Sequence, residues 1–270
     1  MESPRTPRQI VSLQPSVTVI LDELGKLDLL AGCTKYCVAV CPEVQKRNIS
    51  IVADSWTAQA EQIRRIQPDL VIASVPYQEK SLSEILKIGV PVLALSPKNL
   101  ADIYSDICIL SRVVEAQEEG GKLVRRMQEE IDQMQRRTAG LSRPRVFCEE
   151  WGKPLIASQP WVAELVEAAG GTFIGTPGAQ IDPSTVSQAA PDVLIAAWCG
   201  AGDRVPLEKV AGSRGWQDLP AVKAGRVYCI RDEYLNTPAS TLLQGLRALS
   251  AAIHPKCFPQ VEGLRCMKRI

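Results

Sequence analysis

The sequence predicts an α/β protein of two lobes, each a parallel sheet covered by helices, and three observations carry that prediction. One segment occurs twice, as Ile66-Gln67-Pro68-Asp69-Leu70-Val71-Ile72-Ala73-Ser74 and as Ala189-Ala190-Pro191-Asp192-Val193-Leu194-Ile195-Ala196-Ala197. In both, a helix end meets Pro-Asp and a short, wholly apolar run follows. Proline disfavours helix in the residue before it and cannot donate to a ladder. The apolar run suits a strand buried on both faces, as in a parallel sheet between helices. Short strands and helices of one to three turns alternate on either side of residues 100–138, which is the second observation. That middle stretch itself lacks proline and spaces its charges as a helix does, which is the third. Two lobes imply a cleft between them, the default place for a ligand.

Each element has its own signal. Gln9 to Leu13 reads as a first strand, and Ser16 to Leu24 as a helix with Pro15 before it and Gly25 closing it. Leu29 to Tyr36 leads into a second strand and a loop with Cys37 and Cys41. Ala58 to Ile66 is helical, Asp69 to Ala73 a strand, Ser81 to Ile88 a helix stopped by Gly89, and Pro91 to Leu95 a strand. From Leu100 to Thr138 the pairs Arg125–Glu129 and Arg126–Glu130 and the stripe Leu123, Met127, Ile131, Met134 predict one long helix, or two joined near Glu118 to Gly121. Beyond Gly140, Arg145 to Glu149 is a strand and Trp161 to Ala169 a helix ended by Gly170-Gly171. Arg226 to Ile230 is a strand, Thr241 to Ile253 the last helix, and the proline-broken tail from His254 reads as loosely attached.

Composition excludes several function classes. The 270 residues carry 31 basic and 30 acidic side chains, a net charge of +1, so nothing offers the basic footprint that nucleic acid or an anionic membrane demands. Hydrophobic content of 46% and mean hydropathy of −0.01 fit a soluble globular chain. The longest apolar run, Val193 to Cys199, is too short to cross a bilayer, and the opening residues, polar and broken by Pro4 and Pro7, lack a signal-peptide core. Nine cysteines, at 33, 37, 41, 108, 148, 199, 229, 257 and 266, are an odd set of thiols. Secreted chains of this size rarely carry so many, so a reducing cytoplasm is expected.

Candidate ligand contacts are aromatic. Tyr36, Trp56, Tyr77, Trp151, Trp198 and Tyr234 all fall at predicted strand ends or just after them, in a chain with only 5% aromatics. Loops at strand ends converge on the ligand crevice of open α/β sheets, although each ring could instead cap a lobe core. Glu149 and Glu150 end a strand in the same region and could hydrogen-bond ligand amides or hydroxyls. Cys33, Cys37 and Cys41, spaced by four, would share a helix face or, in a loop, gather a metal with Cys199; a paired-cysteine gap of two residues is absent. His254, the one histidine, stands at the end of the last helix, where a cation is favoured. With no nucleophile elbow, P-loop or G-x-G-x-x-G, no enzyme is predicted.

Over roughly 8–253 the chain resembles the helical-backbone (class III) substrate-binding proteins that serve importers of cobalamin, haem and iron-siderophores. The resemblance rests on Gln9-Ile10-Val11-Ser12-Leu13-Gln14-Pro15, Leu29-Leu30-Ala31-Gly32-Cys33-Thr34-Lys35-Tyr36, the two Pro-Asp strands, the long middle helix, and Pro220-Ala221-Val222-Lys223-Ala224-Gly225-Arg226-Val227-Tyr228. It is closest to the cobalamin-binding branch, through Trp56 in Val52-Ala53-Asp54-Ser55-Trp56, Tyr36, Trp151 in Glu149-Glu150-Trp151-Gly152, and Arg231-Asp232-Glu233-Tyr234-Leu235-Asn236. That implies two Rossmann-like three-layer lobes joined by one long helix, with a cleft lined by Tyr36, Trp56, Tyr77, Glu150, Trp151, Trp198, Asp232 and Tyr234. It also implies an acid seven residues before each Pro-Asp, to dock on permease arginines. Glu61 fills the first position and Ser184 the second, and Thr237-Pro238-Ala239-Ser240-Thr241 lacks the arginine many corrinoid binders carry there.

The expected organisation is a first lobe at 8–104, a connecting helix at 105–140, a second lobe at 141–253 and a tail at 254–270. The expected function is non-catalytic binding of cobalamin or another tetrapyrrole or metal chelate, with no cofactor required. No nucleic acid and no membrane insertion are expected, and an ABC permease partner is weakened by Ser184. The absent acid, the opening residues and the thiols together predict a cytoplasmic relative that kept the cleft. The alternatives are an importer-fed binder of haem or an iron-siderophore, a cysteine-using metal protein or enzyme, and a ligand-sensing interaction module.

Overall fold

A computed structural model describes residues 6–74 and 79–268. The chain divides into two compact units, one of Met1–Pro97 with Ala101–Arg126 and one of Lys98–Leu100 with Met127–Ile270.

The first unit is a five-stranded sheet. Its elements are β1 (Ile10–Ser12), α1 (Pro15–Glu23), β2 (Leu30–Thr34), α2 (Lys35–Val40), β3 (Ser50–Val52), α3 (Ala60–Arg64), β4 (Leu70–Ser74), α4 (Glu79–Leu86) and β5 (Val92–Leu95). The order is β3-β2-β1-β4-β5 and every pairing is parallel. Val11, Leu13, Val52, Ile63, Val71, Ala73, Ile85 and Ile88 close one core on this sheet. All five strands therefore end at the same edge, and their loops leave from it.

The duplicated Pro-Asp segment does the same work in both units. Asp69 takes the N–H groups of Arg8 and Gln9 on its carboxylate at 2.7 and 3.1 Å and donates its own N–H to the Gln9 carbonyl. Asp192 takes the Arg145 N–H at 2.8 Å and donates back to the Arg145 carbonyl. Each aspartate thus clamps the start of the neighbouring parallel strand. The residue before each proline, Gln67 (φ 53°) and Ala190 (φ 43°), sits in the left-handed region, which ends the preceding helix.

The middle stretch is two helices, α5 (Leu100–Val113) and α6 (Gln117–Thr138), and it breaks before the expected Glu118–Gly121. Glu115 adopts φ 52°, the Ala116 N–H reaches the Ser111 carbonyl at 2.7 Å, and the Glu115 N–H reaches that of Arg112. This is a Schellman stop made without glycine. Gly120 and Gly121 lie inside α6 and terminate nothing. A Cβ on Gly120 would stand 2.5 Å from Ser111 Cβ, so this glycine lets α6 lie against α5.

The second unit continues with β6 (Arg145–Gly152), β7 (Leu155–Ala157), α7 (Pro160–Ala168), β8 (Thr172–Phe173), α8 (Pro183–Ala189), β9 (Val193–Ala196), α9 (Leu207–Gly212), α10 (Pro220–Lys223), β10 (Val227–Ile230), α11 (Glu233–Asn236), α12 (Leu242–Ile253) and β11 (Leu264–Cys266). The order is β11-β10-β9-β6-β7, with β8 beside β6. β6, β8, β9 and β10 are parallel, and β7 and β11 add antiparallel edges. Its core holds Phe147, Leu194, Val210, Val227 and a fully buried Trp216, whose ring meets Phe147 edge-on at 6.2 Å.

The tail is not loosely attached. Leu264 and Phe258 are buried, β11 pairs with β10 from Tyr228 to Ile230, and the Met267 N–H reaches the Val227 carbonyl. Apolar side chains at 258 and 264 and an open sheet edge outweigh the prolines between them. His254 caps α12 but is buried, with Nε2 3.2 Å from the Gly170 carbonyl, and burial lowers its pKa. The ring is packed in the interior, and burial disfavours the cation expected at this helix end.

Candidate functional site

The sheet edges where the parallel strands end carry the candidate residues, and each unit builds its own edge. In the first unit, Thr34 ends β2 and caps α2, its hydroxyl accepting the Cys37 N–H. That places Tyr36 in the first turn of α2, where its ring is 40% exposed and Lys35 Nζ lies 4.9 Å from its centroid. After β3, Asp54 Oδ1 accepts the N–H groups of Trp56 and Thr57 and the Thr57 hydroxyl, while Ser55 Oγ donates to the Leu13 carbonyl. This turn holds Trp56 out with half of its surface exposed (50%). Tyr36 and Trp56 therefore share one edge, and neither caps the core. Tyr77 lies outside the described residues. Glu61 is exposed in the first turn of α3, with Arg64 and Arg65 at 3.9 and 3.6 Å.

In the second unit the adjacent acids part company. Glu149 pairs with Ala157 and Trp151 with Ile156, so Glu150 is the extra residue of a β-bulge in β6. Glu149 turns inward, almost wholly buried, where Arg214 grips both its oxygens at 2.6 and 2.7 Å and Trp198 Nε1 donates at 2.8 Å. Burial pushes its carboxyl up, and the Arg214 and Trp198 bonds pull it back. Glu150 stays at the edge, accepting from Gln159 Nε2 at 2.7 Å, with Cys199 Sγ 3.6 Å from its other oxygen. Burial raises its carboxyl too, against those two donors. Trp151 lies 44% exposed, its Nε1 donating to the Lys153 carbonyl.

Asp232 and Asn236 complete that edge. Asp232 accepts the N–H groups of Gly200 and Gly202, both at 2.7 Å, which ties the loop after β10 to the loop after β9. Asn236 Nδ2 donates to the Ala197 carbonyl at 2.8 Å and lies 3.3 Å from Cys199 Sγ, while its buried Oδ1 has no hydrogen-bond partner. The structure thus gathers Glu150, Cys199, Asp232 and Asn236. It sends Trp198 elsewhere, over Glu149 and flush with Gly152, where a Cβ would stand 2.5 Å from the indole. Tyr234 packs under the tail, its ring beside Gly263 and Arg231. Ser184 is exposed and uncharged in the first turn of α8, next to Asp182, whose carboxylate caps that helix. Arg214 had no sequence signal, because it stands 65 residues from the acid it neutralises.

The three spaced cysteines do not form one ligand set. Cys33 lies in β2, Cys37 in the first turn of α2, and Cys41 caps its end, all buried. A hydrogen bond between Cys33 and Cys37 lowers the Cys37 thiol to about 6 and raises that of Cys33, and burial lifts Cys41 to about 11. Cys199 belongs to the other unit, and its thiol is raised by burial and by the Glu150 and Asp232 carboxylates. Among the described residues, no group of three or more His, Cys, Asp or Glu side chains is arranged to hold a metal. A depression of about 400 Å³ lies in the second unit beside Lys153, Leu155, Gln180, Asp182 and Arg214, and no aromatic ring lines it.

Comparison with known proteins agrees with this architecture. A family profile described as "Periplasmic binding protein" matches residues 10–234. An uncharacterised ABC transporter substrate-binding lipoprotein of Bacillus subtilis is 24% identical over 95% of this chain and 83% of its own length. A vitamin B12-binding protein of Vibrio campbellii is 25% identical over 88% of this chain and 86% of its own. Among solved structures, a periplasmic haem-binding protein from Pseudomonas aeruginosa superposes with a TM-score of 0.85 at 19% identity, covering 97% of this chain and 99% of that one. The periplasmic vitamin B12-binding protein of Vibrio cholerae gives 0.74 at 23% identity, covering 93% and 98%. These relatives, a lipoprotein and periplasmic proteins, overturn the cytoplasmic expectation and point to a place outside the cytoplasm. The thiol count misled because Cys33, Cys37, Cys41, Cys148 and Cys229 are packed inside, where a free thiol is a small hydrophobe shielded from oxidants.

Proposed function

Since the chain belongs to the periplasmic binding protein family, whose members are non-catalytic solute-binding proteins, we propose that its solute is a corrinoid of the cobalamin type. One observation carries this reading: Tyr36, Trp56 and Trp151 are large rings held exposed on the sheet edges where open α/β folds take ligands. A flat, apolar ligand that covers these rings removes their apolar surface from water, which is favourable. Burial of each ring against a flat ligand contributes about 1.5–3 kcal/mol, a substantial part of the roughly 12 kcal/mol of a nanomolar complex. Glu150, Asp232 and the Asn236 amide would add polar contacts, with Trp198 and Tyr234 as further contacts or as supports beneath them, and Tyr77 remains in the proposed set from its place in the sequence alone. The vitamin B12-binding relative of Vibrio campbellii, similar along most of the chain, supports the corrinoid over other flat ligands.

An ABC permease is the proposed partner. Glu61 supplies an exposed acid on the first unit, and Ser184 leaves the corresponding position of the second uncharged, so docking on this account is weaker on one side. Haem or a ferric siderophore is the competing solute, favoured by Lys35, a cation beside Tyr36 suited to a carboxylate or catecholate. Titration of purified protein with cyanocobalamin, haemin and a ferric catecholate, followed by absorbance and calorimetry, separates these. Trp56→Ala should weaken the true ligand about tenfold or more and leave the melting temperature unchanged. Absence of any response to cobalamin at tens of micromolar would end the corrinoid reading.

A further inference from the structure

We infer that the bulged Glu150, backed by Asp232, makes the second unit's edge select a ligand that offers amide N–H groups and reject one that offers carboxylates. The inference rests on the proposed function and names the chemistry its ligand must show to this edge. The bulge is the starting point: without it, side chains would alternate through Glu149, Glu150 and Trp151, whereas here Glu149 alone is consumed inside. A carboxylate has about four acceptor positions on its two oxygens. Gln159 and Cys199 use one each on Glu150, which leaves acceptor capacity for donors arriving from outside.

Charge settles the preference. Arg214 cancels Glu149 in a buried ion pair, but neither Glu150 nor Asp232 is paired with a lysine or arginine among the described residues. Two cations of the adjoining loops are directed elsewhere: Arg231 to Glu233 at 2.6 Å, and Arg204 Nε to the Ala201 carbonyl. Burial first, and then both carboxylates, disfavour the thiolate of Cys199 between the two acids. A ligand carboxylate brought here would meet like charge in a partly desolvated site whose two acids are, among the described residues, unpaired with any lysine or arginine. A carboxamide at the same place donates its N–H groups to Glu150 and brings no charge to oppose the two acids.

The test compares ligands that differ only in this group. Dissociation constants are measured on the full chain for cyanocobalamin and its monocarboxylate derivatives, in which single side-chain amides are hydrolysed, and for haemin and its dimethyl ester. Wild type should bind at least one monocarboxylate about tenfold more weakly than the parent, and Glu150→Gln should erase most of that difference. Equal affinities in wild type, or an unchanged difference in Glu150→Gln, would overturn the inference; the wild-type comparison holds even if the variant folds poorly. If no corrinoid binds but haem does, the proposed solute is wrong while this inference stands or falls on the ester, which must bind more tightly than the acid. If no member of either pair binds, both are rejected.

Discussion

Gly120 and Gly121 are neighbours on one helix, yet a methyl group added to each should have opposite effects. Replacing glycine by alanine inside a helix contributes about 0.8–1.0 kcal/mol through backbone entropy when space allows. At Gly121 the new Cβ would meet only Arg125 Nη1, at 3.3 Å, the far end of a flexible side chain. At Gly120 it would meet Ser111 Cβ at 2.5 Å and Oγ at 2.6 Å, atoms fixed close to the α5 backbone and almost wholly buried. Separating two packed helices to admit one methyl costs about 1–3 kcal/mol. Gly121→Ala should therefore stabilise by up to about 1 kcal/mol, and Gly120→Ala should destabilise by up to about 2 kcal/mol after the propensity gain. For a chain of this size that is a fall of roughly 4–8 °C in melting temperature. Thermal and urea unfolding followed by circular dichroism measure both. Ser111→Gly combined with Gly120→Ala should recover most of the loss, because the clashing atoms are then gone. Equal effects of the two single variants would refute the claim that α6 lies on α5 through Gly120.

Two further outcomes follow from buried polar groups. Arg214→Met strands the Glu149 carboxylate in the interior and should cost about 3–5 kcal/mol at neutral pH in urea unfolding, whereas pairing it with Glu149→Gln should recover much of this. Burial lowers the His254 pKa below its ordinary 6.5, so the folded chain binds fewer protons there than the unfolded one. Its contribution is complete above about pH 6.5 and is lost as pH falls below that value. His254→Asn should flatten the acid limb of the stability profile below about pH 6.5, and a limb identical to wild type would refute the assignment.

The architecture was legible because its signals are local. Pro-Asp before an apolar run marks a helix end and a buried strand without reference to the rest of the chain, and the aspartates prove to be the clamps that hold neighbouring strands. The short edge strands β3, β7 and β11 were not legible, since each depends on a partner that only the fold supplies. The break between α5 and α6 was displaced for a related reason: glycine is the usual left-handed residue, and here Glu115 takes that conformation. Of the candidate site, the exposed Tyr36, Trp56 and Trp151 were readable as rings past predicted strand ends, although β6 runs beyond the expected end at Glu149 as far as Gly152 and includes Trp151. The same rule selected Trp198, whose indole is absorbed by Glu149 and Gly152. Position along the chain cannot tell a ring held outward by an Asx turn from one that covers a buried acid. Nor could it show that a bulge divides Glu149 from Glu150, because register is set by β7 across the ladder.

The pairing of β11 with β10 has a consequence for biogenesis. A ribosome builds the polypeptide from its amino end, so the outer rim of β10 stays bare until residues 264–266 have emerged and folded back. During that interval a row of unsatisfied amides and carbonyls is open to any extended segment nearby, including a second nascent copy. Closing this seam needs residues 264–266, and a chain cut short before Leu264 would leave that border of the second sheet unpaired.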